Sequence, residues 1–85
     1  MMTDEEQMLI GAVRYALGRM SYVVGDTCRF VARVKDKLSQ QCIDIIIRDI
    51  EEEMERYHSV GQTLGMDIDE RNWVRLLEFL KGGVE

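Results

Sequence analysis

Residues 40–58 read QQCIDIIIRDIEEEMERYH, and their apolar side chains repeat with the period of an α-helix. The apolar positions lie three and four residues apart on one side of such a helix, namely Ile43, Ile46, Ile47, Ile50, Met54 and Tyr57. This spacing is typical of a helix that buries one face. Ser39 stands immediately before the stretch, where its hydroxyl can cap the first turn. The sequence therefore predicts a helix over 40–58.

The segments on either side predict three more helices. Thr3 and Glu6 have the spacing of a capping box, which places the start of a first helix over 4–18. A second helix, over 22–37, takes Ser21 as its cap, and a short fourth helix, over 70–81, takes Asp69. The chain contains no proline, which suits uninterrupted helices. Short connections favour antiparallel neighbours, so residues 1–85 are predicted to form a single all-α domain, a compact bundle of about four helices.

The apolar stripes also predict which side chains form the core. They are Leu9, Val13, Leu17, Phe30, Val34, Ile43, Ile47, Ile50, Trp73 and Leu77. Other large apolar residues fall off these stripes, namely Met8, Ile10, Tyr15, Tyr22 and Ile45. Clustered apolar residues on a surface usually mark an interface, and two-fold dimers are the commonest oligomers. We therefore expect a homodimer in which these five residues are the candidates for self-association.

Charge is distributed unevenly along the chain. The net charge is −5, and residues 43–85 carry eleven acidic side chains against five basic ones, whereas residues 1–42 are nearly balanced. An acidic half disfavours direct binding to nucleic acid, because phosphates are held mainly by Lys and Arg. It favours a protein partner with a basic surface. The predicted partner contacts are four acidic residues of the third helix, namely Asp49, Glu51, Glu52 and Glu55.

The residues that would carry catalysis are few. Cys28 and Cys42 have no histidine near in sequence and no glycine-rich oxyanion loop, so we interpret both as reduced thiols of the core. The glycines are scattered, and none opens a strand-to-helix turn that could cradle a phosphate. We therefore expect neither an enzyme nor a bound cofactor.

Two groups of residues have spacings found in metal sites. Glu55 and His58 have the Glu-x-x-His spacing of di-iron bundles, but the other glutamates of such a site are missing. Asp67, Asp69 and Glu78 occupy calcium-loop positions, yet an arginine stands where another ligand belongs. We predict no metal site, with His58 at a helix end and Asp69 as a cap.

Two further features bear on location and on an alternative function. The N-terminus is acidic where a secretory signal would be basic, and no apolar run is long enough to span a membrane, so we expect a cytoplasmic protein. Arg29, Arg33 and Lys37 recur every four residues. Together with the short turn between the second and third helices, they leave open a small helix-turn-helix-like DNA-binding regulator as an alternative.

Three segments carry a resemblance. They are residues 15–24 (YALGRMSYVV), residues 47–51 (IRDIE) and residues 65–69 (GMDID) leading to Trp73. Together they resemble small helical proteins encoded by phages and prophages of Gram-positive bacteria. The resemblance implies a non-catalytic protein that binds and inhibits a protein of the bacterial host. CRISPR nucleases and other nucleic-acid-handling defence complexes are the expected targets, and a structural or regulatory homodimer is the alternative.

Overall fold

Four α-helices make up the fold in a computed structural model that describes residues 2–19, 22–64 and 67–82. Helix α1 spans Asp4–Ala16, α2 spans Tyr22–Val34, α3 spans Gln40–His58 and α4 spans Asp67–Leu80, and a 3₁₀ turn at Lys35–Lys37 follows α2. No strand occurs within these three ranges. The prediction of an all-α bundle of four helices is confirmed.

Two of the predicted caps are present. The hydroxyl of Thr3 accepts a hydrogen bond from the backbone N–H of Glu6 at 3.1 Å, and the Glu6 carboxylate accepts one from the backbone N–H of Thr3 at 3.1 Å. These two bonds form a complete capping box. At the start of α3, the hydroxyl of Ser39 accepts from the backbone N–H of Cys42 at 3.2 Å. The predicted cap at Ser21 lies outside the described residues.

The predicted bounds are correct for α3 and differ for the other helices. Helix α1 ends two residues early, because the chain turns at Gly18, whose φ of +84° is in the left-handed region. The last turn of the second predicted helix tightens into the 3₁₀ turn. Helix α4 begins at Asp67, so the prediction that Asp69 caps it from outside is wrong. Asp69 lies within the first turn and is buried.

Each helix packs mainly against two others. Helix α1 contacts α2 and α3, and α4 contacts the same two helices. Helices α2 and α3 therefore occupy diagonal corners of the bundle, as do α1 and α4. The core between them is formed by Leu9, Ile10, Val13, Ala16, Leu17, Val24, Cys28, Val31, Cys42, Ile43, Ile46, Ile50, Leu64, Trp73, Leu76, Leu77 and Leu80.

Seven of the ten predicted core residues are buried, and the exceptions show how the helices are rotated. Phe30 is 49% exposed, because α2 turns the side that carries Cys28 toward α4. Val34 and Ile47 are only partly buried. The prediction that Ile10 lies off the buried side is wrong, since α1 packs against two helices and buries a broader face. Ile45, placed on the far side of α3 by the sequence, is partly buried against the core.

Candidate binding surfaces

The last two turns of α3 carry an exposed acidic edge, formed by Glu51, Glu52 and Glu55. Spacings of three and four residues place these carboxylates side by side on one face of the helix. Glu51 accepts a hydrogen bond from the ammonium group of Lys81 at the end of α4. Within the described ranges, the side-chain carboxylates of Glu52 and Glu55 have no hydrogen-bond or ion-pair partner. These two carboxylates are therefore available to another molecule.

Asp49 does not belong to the acidic edge. Its side chain is only 12% exposed and lies on the side of α3 that faces α1. There its Oδ2 accepts a hydrogen bond from Nε of Arg14 at 2.7 Å. This bond, together with the attraction between the two charges, raises the pKa of Arg14. The structure thus brings together three of the four predicted partner residues and assigns Asp49 to a contact between helices.

A buried carboxylate fixes the beginning of α3. Glu6 on α1 accepts from the backbone N–H of Ser39 at 2.6 Å, while its other oxygen accepts from Thr3. The hydrogen bond from Ser39 is the largest cause that lowers the pKa of Glu6, followed by the one from Thr3. Because both carboxylate oxygens accept hydrogen bonds from this chain, Glu6 has a structural role and does not present a charge to a partner.

A second carboxylate fixes the end of α3. Glu70 on α4 accepts from the backbone N–H of Leu64 at 2.7 Å, and its other oxygen lies 2.8 Å from Nε2 of His58. The hydrogen bond from Leu64 contributes most to lowering the pKa of Glu70, and burial opposes it. His58 therefore pairs with Glu70 across the loop. Among the described residues no group of three His, Cys, Asp or Glu side chains could hold a metal ion.

The calcium-loop alternative does not fit the geometry. Asp67 and Glu78 are both exposed on one continuous helix, and eleven residues at 1.5 Å each separate them by about 16 Å. Asp69 is 1% exposed in the first turn. These side chains cannot converge on one ion while the helix persists.

Both cysteines are free and buried. Burial raises the pKa of Cys28 to about 12, although the nearby charge of Arg29 acts in the opposite direction. Burial also raises the pKa of Cys42, whose thiol lies 4.0 Å from the backbone oxygen of Glu6. Because the thiolate is the nucleophilic form, both environments suppress reactivity.

The basic residues of α2 do not form one continuous stripe. Arg29 pairs with Asp26 on the same helix, and Arg33 is exposed. Lys37 lies in the 3₁₀ turn, where the four-residue spacing of an α-helix no longer holds, and it lines a groove of about 330 Å³ beside Phe30. Helix α3, which would have to enter the DNA groove, presents the acidic edge instead.

The outer face of α1 carries exposed apolar and small residues. We define this face by Met8, Gly11, Ala12 and Tyr15, all of which are exposed. Met8 is 74% exposed and Tyr15 is 62% exposed. The face thus holds two of the five residues predicted to self-associate. The spacing of residues 8, 11, 12 and 15 is visible in the sequence, but the sequence does not show that Gly11 and Ala12 are exposed on the same face.

The other residues predicted to self-associate are dispersed. Tyr22 is 75% exposed at the start of α2, whereas Ile10 is in the core and Ile45 is partly buried. The structure also exposes large apolar residues that the sequence did not single out, namely Phe30, Val60, Ile68 and Phe79.

Comparisons with known proteins give no indication of the function. No protein family, no curated protein and no solved structure matched the chain. None of the helices in residues 2–19, 22–64 and 67–82 is both long enough and apolar enough to cross a membrane.

Proposed function

We propose that this chain is a non-catalytic binding module that docks on a basic surface of another protein through the acidic edge of α3. The observation that carries the proposal is the exposure of Glu52 and Glu55, whose side-chain carboxylates have no partner among the described residues. Like charges three residues apart repel slightly in the free protein. A cationic partner removes that repulsion, and the relief of repulsion favours binding.

The position of α3 in the bundle strengthens the argument. Residues 40–58 carry six acidic and two basic side chains, whereas residues 22–37 carry four basic and two acidic ones. Helices α2 and α3 lie at diagonal corners, so the two kinds of charge are separated across the molecule. A basic partner is therefore steered toward α3, since complementary fields accelerate encounter and select orientation.

The class of partner follows from the same chemistry. Proteins that handle nucleic acids expose basic surfaces for phosphates, and an acidic edge on a small rigid helix can occupy such a surface. Combined with the resemblance to phage and prophage proteins, this supports an inhibitor of a nucleic-acid-handling defence complex in the bacterial cytoplasm, with CRISPR nucleases as the leading target class. The raised pKa values of Cys28 and Cys42 are consistent with a role that involves no thiol chemistry.

The test uses charge reversal at the acidic edge. The immobilised wild-type chain and the variant Glu52→Arg/Glu55→Arg are exposed to a lysate of the bacterial host, and retained proteins are identified. The matched control, Glu5→Arg/Asp67→Arg, changes the net charge equally at exposed positions elsewhere. We expect the wild type and the control to retain the same nucleic-acid-handling protein and to inhibit its nuclease activity, and the edge variant to do neither. Equal retention and inhibition by the edge variant, or retention of nothing by the wild type, contradicts the proposal.

A second candidate function is a regulatory homodimer, and the exposed apolar side chains of Met8, Tyr15 and Tyr22 favour it. Removing such surface from water on self-association is favourable by roughly 25 cal/mol per Å². Light scattering over a wide dilution series tests this candidate. A mass that rises to twice the monomer mass supports it, and a monomer mass at every concentration excludes it.

A further inference from the structure

The residues on the outer face of α1 are arranged approximately symmetrically about the middle of the helix. Asp4, Met8, Gly11, Ala12 and Tyr15 all fall within about 100° of one another around the helix axis. All five are exposed. The guanidinium group of Arg19, just beyond the helix, lies 4.6 Å from the centre of the Tyr15 ring and so extends the face at its C-terminal end.

When a second copy of α1 is laid antiparallel on this face, each residue meets a residue with which it can interact favourably. About a point midway between Gly11 and Ala12, Met8 exchanges with Tyr15, so that apolar meets apolar. About the same point, Asp4 exchanges with Arg19, so that acid meets base. The face is therefore complementary to an antiparallel copy of itself, which is the requirement for a closed two-fold contact.

We infer that two copies of this chain associate through antiparallel packing of their α1 outer faces, with Gly11 and Ala12 at the two-fold axis. Met8 of each copy lies against Tyr15 of the other, and Asp4 of each copy pairs with Arg19 of the other. This inference rests on the homodimer candidate above and names its surface. It is independent of the acidic edge, because α3 lies on another side of α1.

The small residues at the centre give the pairing its geometry. A Cβ atom added at Gly11 has no atom of the rest of the bundle within 4 Å, so the bundle itself does not require a glycine there. A second helix can approach closely at such a position, because neither backbone is shielded by a side chain. Antiparallel packing also places the acidic first turn of α1 beside the basic end of the other copy, which is favourable for both helix dipoles.

Charge reversal at the two ends of the face tests the register. Asp4→Arg alone places two cations together at each end, and Arg19→Asp alone places two anions together. We expect each variant to remain monomeric at concentrations where the wild type is a dimer, as measured by sedimentation. An equimolar mixture of the two variants restores the complementary pairs and should sediment as a heterodimer. Glu78→Arg, an equal change of charge at an exposed position of α4, at the corner of the bundle diagonal to α1, is the control and should leave the wild-type dimer unaffected.

A substitution at the centre tests the close approach. Gly11 is exposed and a Cβ atom added there meets no neighbouring atom within 4 Å, so we expect circular dichroism and thermal unfolding of Gly11→Leu to show an intact fold while the dimer is lost. A wild-type chain that is monomeric at every concentration overturns both this inference and the homodimer candidate. A wild-type dimer that persists in Gly11→Leu, or variants whose mixture stays monomeric, overturns the α1 pairing alone and leaves a dimer through another surface.

Discussion

The Glu6 carboxylate accepts the backbone N–H of Ser39 at 2.6 Å and thereby joins the first turn of α1 to the residue that caps α3. The same carboxylate completes the capping box with Thr3. One side chain thus satisfies a free backbone donor at each of two helix starts that are far apart in sequence. The two starts are consequently expected to form and to melt together.

Replacing Glu6 should destabilise the fold more than replacing its neighbour. Thr3 and Ser39 donate to different oxygens of Glu6, and in Glu6→Gln an NH2 group replaces one of these oxygens, so one of the two backbone N–H groups faces a donor and loses its hydrogen bond. We expect a lower midpoint of urea denaturation at neutral pH for Glu6→Gln, and no significant change for Glu5→Gln, whose side chain is exposed. Equal midpoints for the two variants would contradict the bridging role.

The pH dependence of stability gives an independent check of the same contact. Since the pKa of Glu6 is lower in the folded chain than its ordinary value of 4.5, the folded state favours the ionised carboxylate. This stabilisation is present above the unfolded pKa and is lost as the pH falls through the folded pKa. Wild-type stability should therefore decline in this acidic window more steeply than that of Glu6→Gln. Parallel acid limbs for the two proteins would show that Glu6 is not the group responsible.

Neighbouring isoleucines of α3 should differ in their contribution to stability. Ile46 is fully buried, and Ile46→Ala should lower the free energy of unfolding by about 2–5 kcal/mol, as in other buried large-to-small changes. Ile47 is only partly buried, so Ile47→Ala removes fewer contacts and should cost clearly less. Urea denaturation of both variants measures the difference. A larger loss for Ile47→Ala would mean that α3 is rotated relative to this structure.

The sequence was sufficient to locate α3, because two local patterns agree there. Ser39 offers a cap, and the isoleucine spacing from Ile43 to Ile50 has the helical period. Both patterns depend on residues close in the chain, and the observed bounds are those predicted. The early start of α4 was missed because Asp69 has the chemistry of a cap but is buried inside the first turn.

The side on which a helix is buried was harder to predict, because it depends on how many neighbours the helix has. Helix α1 contacts two helices, which buries Ile10 as well as the stripe through Leu9 and Val13. Helix α2 offers apolar residues over more than half its circumference, and only packing selects Val31 for the core and leaves Phe30 exposed. Periodicity identifies an apolar side but not its width.

The predicted partner residues were divided for a similar reason. Asp49 appeared equivalent to Glu52 in sequence, but it meets Arg14, which lies 35 residues away. The Glu6–Ser39 bond likewise spans 33 residues. Rules based on positions three and four apart describe one helix and cannot identify such contacts. The sequence is sufficient to propose an acidic edge on α3, but the fold is needed to identify which acidic residues belong to it.

Cys28 and Cys42 should react slowly with alkylating reagents in the folded protein. Burial blocks access, and for Cys28 it raises the pKa to about 12, so the thiolate is scarce at mildly alkaline pH. The pKa of Cys28 is therefore higher folded than unfolded. The protonated Cys28 thiol therefore contributes fully to the stability of the folded chain below the pKa of the unfolded thiol. This contribution is lost as the pH rises toward the pKa of the folded thiol. Mass spectrometry after iodoacetamide treatment should show slow labelling in buffer and rapid double labelling in guanidinium chloride. Rapid labelling of either thiol in buffer would indicate an open core.

Gly11 and Gly18 should respond in opposite directions to the same substitution. Gly11 lies within α1, and a side chain built there meets no atom within 4 Å. Alanine is about 1 kcal/mol more favourable than glycine inside a helix, because glycine loses more backbone entropy on folding. We therefore expect Gly11→Ala to raise the free energy of unfolding by about that amount. The measurement is urea denaturation at a dilution where the chain is monomeric, so that any effect on self-association does not contribute.

Gly18→Ala is the matched variant, since it adds the same methyl group to a glycine just after the same helix. Gly18 has a φ of +84°, and an alanine held in that left-handed region loses roughly 1–2 kcal/mol. The added methyl carbon would also lie 3.3 Å from the Tyr57 hydroxyl oxygen, so Tyr57 would have to shift slightly. We expect Gly18→Ala to lower the free energy of unfolding while Gly11→Ala raises it. A gain of stability in Gly18→Ala would show that residue 18 has a negative φ in solution and not the left-handed turn of this structure, because alanine is the better residue only where φ is negative.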